Sequence, residues 1–448
     1  MDSIAAIATP CGAGGICVLR ISGGEAIEIC QKLFRADLLG AKSHTVLYGF
    51  ARTAAGEKID ECLVSVFRAP KTFTRENTVE ISCHGGRAAA NKILTCLFEA
   101  GARLAEPGEF TMRAFLNGRV DLSQAEAVND IITARSDAAL CGAVNQLEGS
   151  VSREINALRN RALSLAANLQ AAADFPEEEL GELTGTDVAA ELSELEGGLR
   201  ALLETAKQGR MVKEGVLCAI VGRPNTGKSS LLNRLLGQGR AIVTDIAGTT
   251  RDVIEETIQI GGVALRLADT AGLRETGDVV EAMGVEKTRQ CLNEADLCLL
   301  VLDASAPLEK EDEEIIALVK EKNSIVVYNK CDKEEKIKAQ WPKGQAVVRL
   351  SAKTGWGVGD LEEEIAEKIN AKSLRGDKAV LTNLRHQDAV ARALSAVSQA
   401  RASFAVKMPA DMVSIDIEAA LSALGEVTGM TVSQEIVHEI FGKFCLGK

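Results

Sequence analysis

The 448-residue sequence predicts a multidomain chain: an α+β domain first, then a discontinuous all-α helical domain whose halves flank an inserted α/β domain. Three observations predict it. Short apolar runs between turn residues fill positions 1–118; apolar residues at helical spacing dominate 119–213 and 374–448; strand–helix alternation fills 214–373. The length favours two to four domains. Termini of α/β domains often lie close together, so one helical domain split by an insertion is the economical arrangement.

In the first segment, Ile16–Ile21, Cys62–Phe67 and Thr78–Cys83 read as strands, the last followed by Gly85 and Gly86. A helix follows over Ala88–Ala100, ended by Gly101. From about Ser123 the period changes. Ala125, Val128, Ile131 and Ile132 fall on one helical face, and the spacing continues to about Ala173. The acidic stretch Pro176 to Glu182 breaks it, and a second helical pattern spans about Val188 to Lys207. Gly215 precedes the strand–helix alternation of a parallel sheet, which lasts to about Ala371. After Gly376 helices return over Asn383–Phe404, Ile415–Leu424 and Ser433–Phe444.

Composition narrows the function classes. With 46% hydrophobic and 25% charged residues, the domains can bury ordinary cores. A net charge of −12 opposes coating a phosphate backbone by bulk charge, and 3% aromatics leave few stacking platforms. Contact with nucleic acid then needs a local patch or a partner protein. The twelve cysteines form no Cys-x-x-Cys pair and sit in apolar runs, as at Cys218 and Cys298, the pattern of reduced core thiols in a reducing cytoplasm. Four histidines without paired spacing argue against zinc. No signal peptide and no apolar run of roughly 20 residues are seen, so a cytoplasmic protein is expected.

The strand-like run Val216–Val221 leads into Gly222-Arg-Pro-Asn225-Thr226-Gly227-Lys228-Ser229-Ser230, the spacing G-x-x-x-x-G-K-[ST] in its strand–loop–helix context. Leu231, Leu232, Leu235 and Leu236 provide the apolar face of the helix behind it. Glycines let amides turn inward around phosphate at the positive end of that helix. Lys228 is expected on the β- and γ-phosphates and Ser229 on Mg²⁺. Downstream, Ala247, Gly248, Thr249, Thr250, Arg251 and Asp252 lie in a polar loop after Thr244, Asp245 and Ile246; Thr250 is the candidate switch hydroxyl for Mg²⁺, and Thr244 to Thr250 are expected along the nucleotide. A hairpin over Val253–Ile260 and Val263–Ala268, turned by Gly261 and Gly262, ends in Asp269-Thr270-Ala271-Gly272. Asp269 can hold the Mg²⁺ shell through water, and the Gly272 amide can meet the γ-phosphate.

Two further motifs select the base. Asn329-Lys330-Cys331-Asp332 ends a strand with an acid that can accept two hydrogen bonds from guanine; adenine would leave that carboxylate unpaired. Lys330 can lie on the base plane. Ser351-Ala352-Lys353 ends the next strand, where amides would meet the guanine oxygen. Five motifs in this order make the insert a Ras-like α/β P-loop GTPase domain. Leu273 stands where many GTPases carry a water-orienting Gln, so help must come from elsewhere. Glu275, Glu281, Arg251, Arg274 and a bound monovalent cation are the candidates.

Segments outside the insert carry a family resemblance. They are Gly14–Gly23, Thr78–Gly86, Pro107–Ala127, the run from Asp174, and the terminal Phe444-Cys445-Leu446-Gly447-Lys448. With them the chain resembles the tRNA-modification GTPase MnmE (TrmE) family over essentially its full length. The resemblance implies a formyl-tetrahydrofolate-binding and dimerising domain over 1–118. It implies a helical domain over 119–213 and 374–448, the second part ending in a folate-site tail, and a GTPase domain over 214–373. It implies a folate site of Arg20, Glu80, Arg119 and Lys448; Cys445 in the tail reads either as a packed or free thiol or as a contributor to that site. It also implies K⁺-dependent pairing of two GTPase domains, with Asn225, Thr244, Ile246 and Thr249 as K⁺ ligands and Glu281 as the catalytic acid that positions water. A homodimer joined to the FAD-dependent MnmG protein would modify the wobble uridine of tRNA with an aminomethyl or carboxymethylaminomethyl group. Arg119 and Leu446 depart from the usual Lys and β-branched residue, and Thr74-Arg75-Glu76-Asn77 stands where the family often has a Gly-Glu-Asp turn. A ribosome-assembly GTPase, or a folate-dependent one-carbon transferase with a regulatory GTPase domain, are the alternatives.

Overall fold

A computed structural model describes residues 2–10, 14–174, 185–238, 256–268, 292–374, 379–445 and 447. They form two compact units, one of residues 1–129, 146–197 and 389–448, the other of 130–145 and 198–388.

The first unit begins with a mixed sheet of β1 (Ile4–Ile7), β2 (Ile16–Ser22), β3 (Thr45–Arg52), β4 (Lys58–Phe67), β5 (Thr78–His84) and β6 (Arg103–Leu104). The order is β3-β4-β5-β2-β1-β6, antiparallel except where β1 meets β6. Strand periodicity sorts the side chains. Cys17, Leu19 and Ile21 of β2, Cys62, Val64 and Val66 of β4, and Val79, Ile81 and Cys83 of β5 are buried in one core with Ile93 and Leu97 of the helix Arg87–Glu99. The residues between them, among them Arg20 and Glu80, therefore face the opposite side. Burial pushes the Cys62 thiol up to about 11 and Cys83 to about 12, so these thiols stay protonated.

The helices Ser150–Asp174 and Ala410–Thr428 pack along each other in this unit. Their buried residues explain why. Val151, Ile155, Leu158, Ala162, Leu165 and Leu169 alternate spacings of four and three, as do Val413, Ile417, Ala420, Leu424 and Val427. Two heptad stripes thus face one seam, although they come from segments on either side of the insert. Phe441 and Phe444 then pack with Ala114, Leu122 and Ala125. Beyond them Gly447 has φ +88, and a Cβ there would lie 2.5 Å from the Ile7 carbonyl oxygen, so the tail's approach to β1 requires glycine.

The second unit holds β7 (Val216–Val221), β8 (Glu256–Ile260), β9 (Val263–Ala268), β10 (Leu297–Asp303), β11 (Ser324–Asn329) and β12 (Ala346–Arg349), ordered β12-β11-β10-β7-β9-β8. All neighbours are parallel except β8 and β9. Strand β10 shows why the runs are continuously apolar. Leu297, Leu299 and Val301 enter the core on one face, Cys298, Leu300 and Leu302 that on the other. Val212, Ala371 and Leu374 join the first of these cores, and the Ala138 amide donates to the Gly262 carbonyl at 2.9 Å. The helical segments next to the insert thus pack with its sheet.

The multidomain α+β, helical and α/β architecture is the one predicted. The local differences have simple causes. The long helical pattern after Ser123 is three helices, Leu122–Thr133, Asp137–Leu147 and Ser150–Asp174. Ala125 is fully buried, but Ile132, at the end of the first, is 42% exposed. Among the described residues no helix is long and apolar enough to cross a membrane.

Candidate functional site

Strand order fixes the place of the nucleotide site. β7 lies between β9 and β10, where the strand order reverses, and the crevice at the carboxyl ends of such strands is the usual ligand site. The loop leaving β7 has left-handed residues at Asn225 (φ 62) and Gly227 (φ 95) and runs into the helix Lys228–Gln238. A Cβ at Gly227 would lie 2.2 Å from Asn329 Nδ2, so only glycine lets the two loops meet. The loop ends at the positive pole of that helix, where phosphate is favoured. Leu231 and Leu235 anchor the helix in the core, with Leu232 and Leu236 partly buried.

Lys228 Nζ donates to the carbonyls of Gly222 and Arg223 at 2.7 and 2.8 Å, which holds the ammonium over the loop. Burial keeps its pKa below the usual lysine range. Thr226 is buried, its hydroxyl donating to the Arg223 carbonyl at 3.0 Å; Ser229 and Ser230 are exposed.

Asn329, only 2% exposed, ties the site together. Its Nδ2 donates to the Thr226 carbonyl at 2.9 Å, and its Oδ1 accepts from the amides of Lys330 at 2.8 Å and Ala352 at 3.0 Å. One side chain therefore spaces the phosphate loop, the end of β11 and the loop after β12. Lys330 Nζ donates to the Asn225 carbonyl at 2.7 Å and pairs with Asp303 at 2.6 Å. The exposed Asp332 accepts from Ser351 Oγ at 2.6 Å, and this bond holds its carboxyl below the usual range.

Two contributors were not singled out in the sequence. Asp303 closes β10; burial raises its pKa, but hydrogen bonds from Lys330 and Ser305 outweigh that and keep it low. An acid ending a fully apolar strand was the available signal. Arg234 donates to the carbonyls of Ala352 at 3.1 Å and Lys353 at 2.7 Å, bracing the loop after β12. Nothing local marks it.

Of the residues expected to hold Mg²⁺ and K⁺, the described ones, Ser229 and the exposed Asn225, carry oxygens of the hard kind such ions take. The remaining predicted residues, Thr244, Asp245, Ile246, Ala247, Gly248, Thr249, Thr250, Asp269, Thr270, Ala271, Gly272 and Glu281, lie outside the described residues.

The N-terminal unit has a cavity of about 500 Å³ whose lining includes His44, Phe67, Phe73, Glu80 and Arg119. Register brings its residues together. Arg20 of β2 stands opposite Glu80 of β5, and their side chains pair at 2.8 Å. The Arg20 guanidinium lies 5.5 Å from the Phe73 ring centroid and 5.7 Å from that of Phe110, and Arg119 lies 4.7 Å from Phe73. Partial desolvation, then the like charge of Arg75, depress the Arg119 pKa. The tail reaches this unit, Gly108 N donating to the Cys445 carbonyl at 3.4 Å, while Lys448 lies outside the described residues. A cavity of this size with aromatic walls, one carboxylate and flanking guanidinium groups fits a pterin carrying a glutamate.

Beneath the cavity loop, Arg113, 3% exposed, meets Glu109 at 3.0 Å, Glu76 at 3.2 Å and Asp2 at 2.7 Å. Glu76 also accepts from Ser22 at 2.9 Å, which fixes the turn carrying Phe73 and Arg75.

Known proteins match this chain along its whole length. The family profile described as GTP-binding protein TrmE N-terminus matches residues 3–119, and that of the MnmE helical domain matches 122–445. The tRNA modification GTPase MnmE of Acetivibrio thermocellus is 46% identical over 455 residues, covering 100% of this chain and 99% of that one. Its namesake in Geobacillus thermodenitrificans is 46% identical, with 100% and 99% covered, and that of Lactococcus lactis 47%, with 100% and 98%. With both family profiles and full-length relatives in agreement, the chain belongs to the MnmE family of tRNA modification GTPases.

Proposed function

We propose that this GTPase drives the addition of an aminomethyl or carboxymethylaminomethyl group to the wobble uridine of tRNA, as a homodimer joined to the FAD-dependent MnmG protein in a heterotetramer. The Asn329 corner carries the nucleotide half of the reading, because one buried amide spaces the phosphate-binding and base-selecting loops together. Lys228 neutralises charge on the β- and γ-phosphates, Ser229 and Thr250 hold Mg²⁺, and Asp332 accepts the two guanine hydrogen bonds. Glu281 orients the attacking water in place of the missing Gln. Asn225, Thr244, Ile246 and Thr249 hold K⁺ when two GTPase domains pair, and that cation supplies the positive charge an arginine finger gives elsewhere. Domain roles follow the sequence: folate binding and dimerisation over 1–118, the helical domain over 119–213 and 374–448, and GTP hydrolysis over 214–373.

The Arg20–Glu80 pair beside Arg119 supports formyl-tetrahydrofolate as the ligand of the N-terminal cavity, Glu80 meeting pterin donors and the cations meeting glutamate. The deciding experiment is the GTPase rate of the full chain in K⁺ against Na⁺, repeated for Glu281→Ala. We expect K⁺ to raise the rate at least about tenfold, as charge stabilisation at the transferring phosphoryl group does elsewhere, and the variant to lose it. Equal rates in the two salts reject the mechanism.

A further inference from the structure

The cavity holds more positive charge than its own acids balance. Lys71, Arg75 and Arg119 all line it, and among the described residues none of the three has an ion-pair partner. The nearby carboxylates are engaged elsewhere: Glu80 pairs with Arg20, and Glu76 with Arg113 and Ser22. Like charges gathered in a concave wall without a counter-charge repel one another, and an anion relieves that cost.

Arg75 is the most telling of them. It has φ 59, a left-handed backbone that a long side chain rarely adopts. Its Nη1 donates to the Asn117 carbonyl at 2.9 Å, and Asn117 Nδ2 donates back to the Thr74 carbonyl at 2.7 Å. The turn and the 117–119 loop are thereby laced together with Arg75 and Arg119 side by side. Strain at such a residue, kept by a defined hydrogen bond, points to a use.

We propose that Lys71 and Arg75 extend the cavity into a subsite for the γ-linked oligoglutamate tail of a folate. The proposal rests on the folate reading of the cavity and adds a chain-length preference to it. Each further γ-linked glutamate adds one net carboxylate, so two unpaired cations beyond Arg119 match the two charges that a triglutamate has over a monoglutamate. A surface for an RNA backbone would instead spread its cations along a groove, not around an aromatic-walled cavity.

The test titrates the full chain with formyl-tetrahydrofolate carrying one glutamate and with the same compound carrying three, at low salt, by calorimetry. The triglutamate is expected to bind about three- to tenfold more tightly, the scale of two solvent-screened charge pairs. That ratio falls toward one in the Lys71→Ala, Arg75→Gly double variant, where Gly keeps the left-handed turn, and Arg75→Lys restores part of it. Equal affinities of the two compounds for the unaltered chain overturn the subsite while leaving the folate reading standing. Failure of both compounds to bind overturns the folate reading itself. A double variant that keeps the ratio and loses affinity for tRNA overturns the subsite and assigns these cations to RNA phosphate.

Discussion

In the α/β unit the nucleotide corner is held by neutral or cationic donors aimed at main-chain carbonyls: Asn329 at Thr226, Lys330 at Asn225, Arg234 at Ala352 and Lys353. In the N-terminal unit the cavity is held by charge against charge, Arg20 with Glu80 and Arg113 with Glu76, Glu109 and Asp2. A carbonyl cannot titrate, whereas a carboxylate can. The first site therefore rests mostly on bonds that do not titrate, with Asp303 on Lys330 and Asp332 beside Ser351 as its acid-sensitive points, whereas the second rests on carboxylates throughout.

That contrast can be broken by exchanging what each site depends on. The largest effect is expected for Asp332→Asn, which offers guanine a donor where it needs an acceptor. GTP affinity should fall by about ten-thousandfold, the range seen when a built hydrogen-bonding site meets the wrong partner, and xanthine nucleotide should gain. Nucleotide titration checks both, and unchanged GTP affinity refutes the base-reading role. Next is Arg113→Ala, which strands Glu76 without its cation and leaves Glu109 with Arg103 alone. Breaking a buried charge pair from one side costs about 3–5 kcal/mol. Denaturant unfolding should show that loss in the N-terminal unit while GTP affinity is kept; an unchanged midpoint would mean the network does not hold the cavity loop.

The smallest effect sharpens the comparison through pH. Burial raises the Glu109 pKa, but hydrogen bonds from Arg103, the Glu106 amide and Arg113 outweigh it, so its folded pKa is depressed. Such a group contributes stability above its unfolded pKa of about 4.3, lost as pH falls through the lower folded value. The N-terminal unit should therefore weaken below about pH 4, and Glu109→Gln should flatten that part of the stability curve. A curve of the same slope in the variant would place the acid sensitivity elsewhere.

How far the sequence could be read follows the same division. The phosphate loop was legible because strand, glycines, Lys228 and helix lie within a few consecutive positions and each restricts the backbone locally. Asp303 and Arg234 were not, because their partners are set by strand order and lie 27 and 118 or more positions away. The pairing of Arg20 with Glu80, 60 positions apart, needs the register of β2 against β5, which periodicity alone does not give. Resemblance named those two residues; only the sheet explains why they meet. Likewise the turn at Thr74–Asn77 read as a departure from the family pattern, while its geometry shows Arg75 turned to the cavity.

The heptad seam between Ser150–Asp174 and Ala410–Thr428, with Gly447 seated against Ile7, has a consequence for biogenesis. The sheet of the α/β unit is drawn from one uninterrupted stretch and can assemble while the ribosome is still elongating. The N-terminal unit cannot be completed at that stage, since residues 198–388 separate its last two segments. Nascent chains would thus complete the sheet around the phosphate loop first, and the helical seam would form only after the last helices emerge.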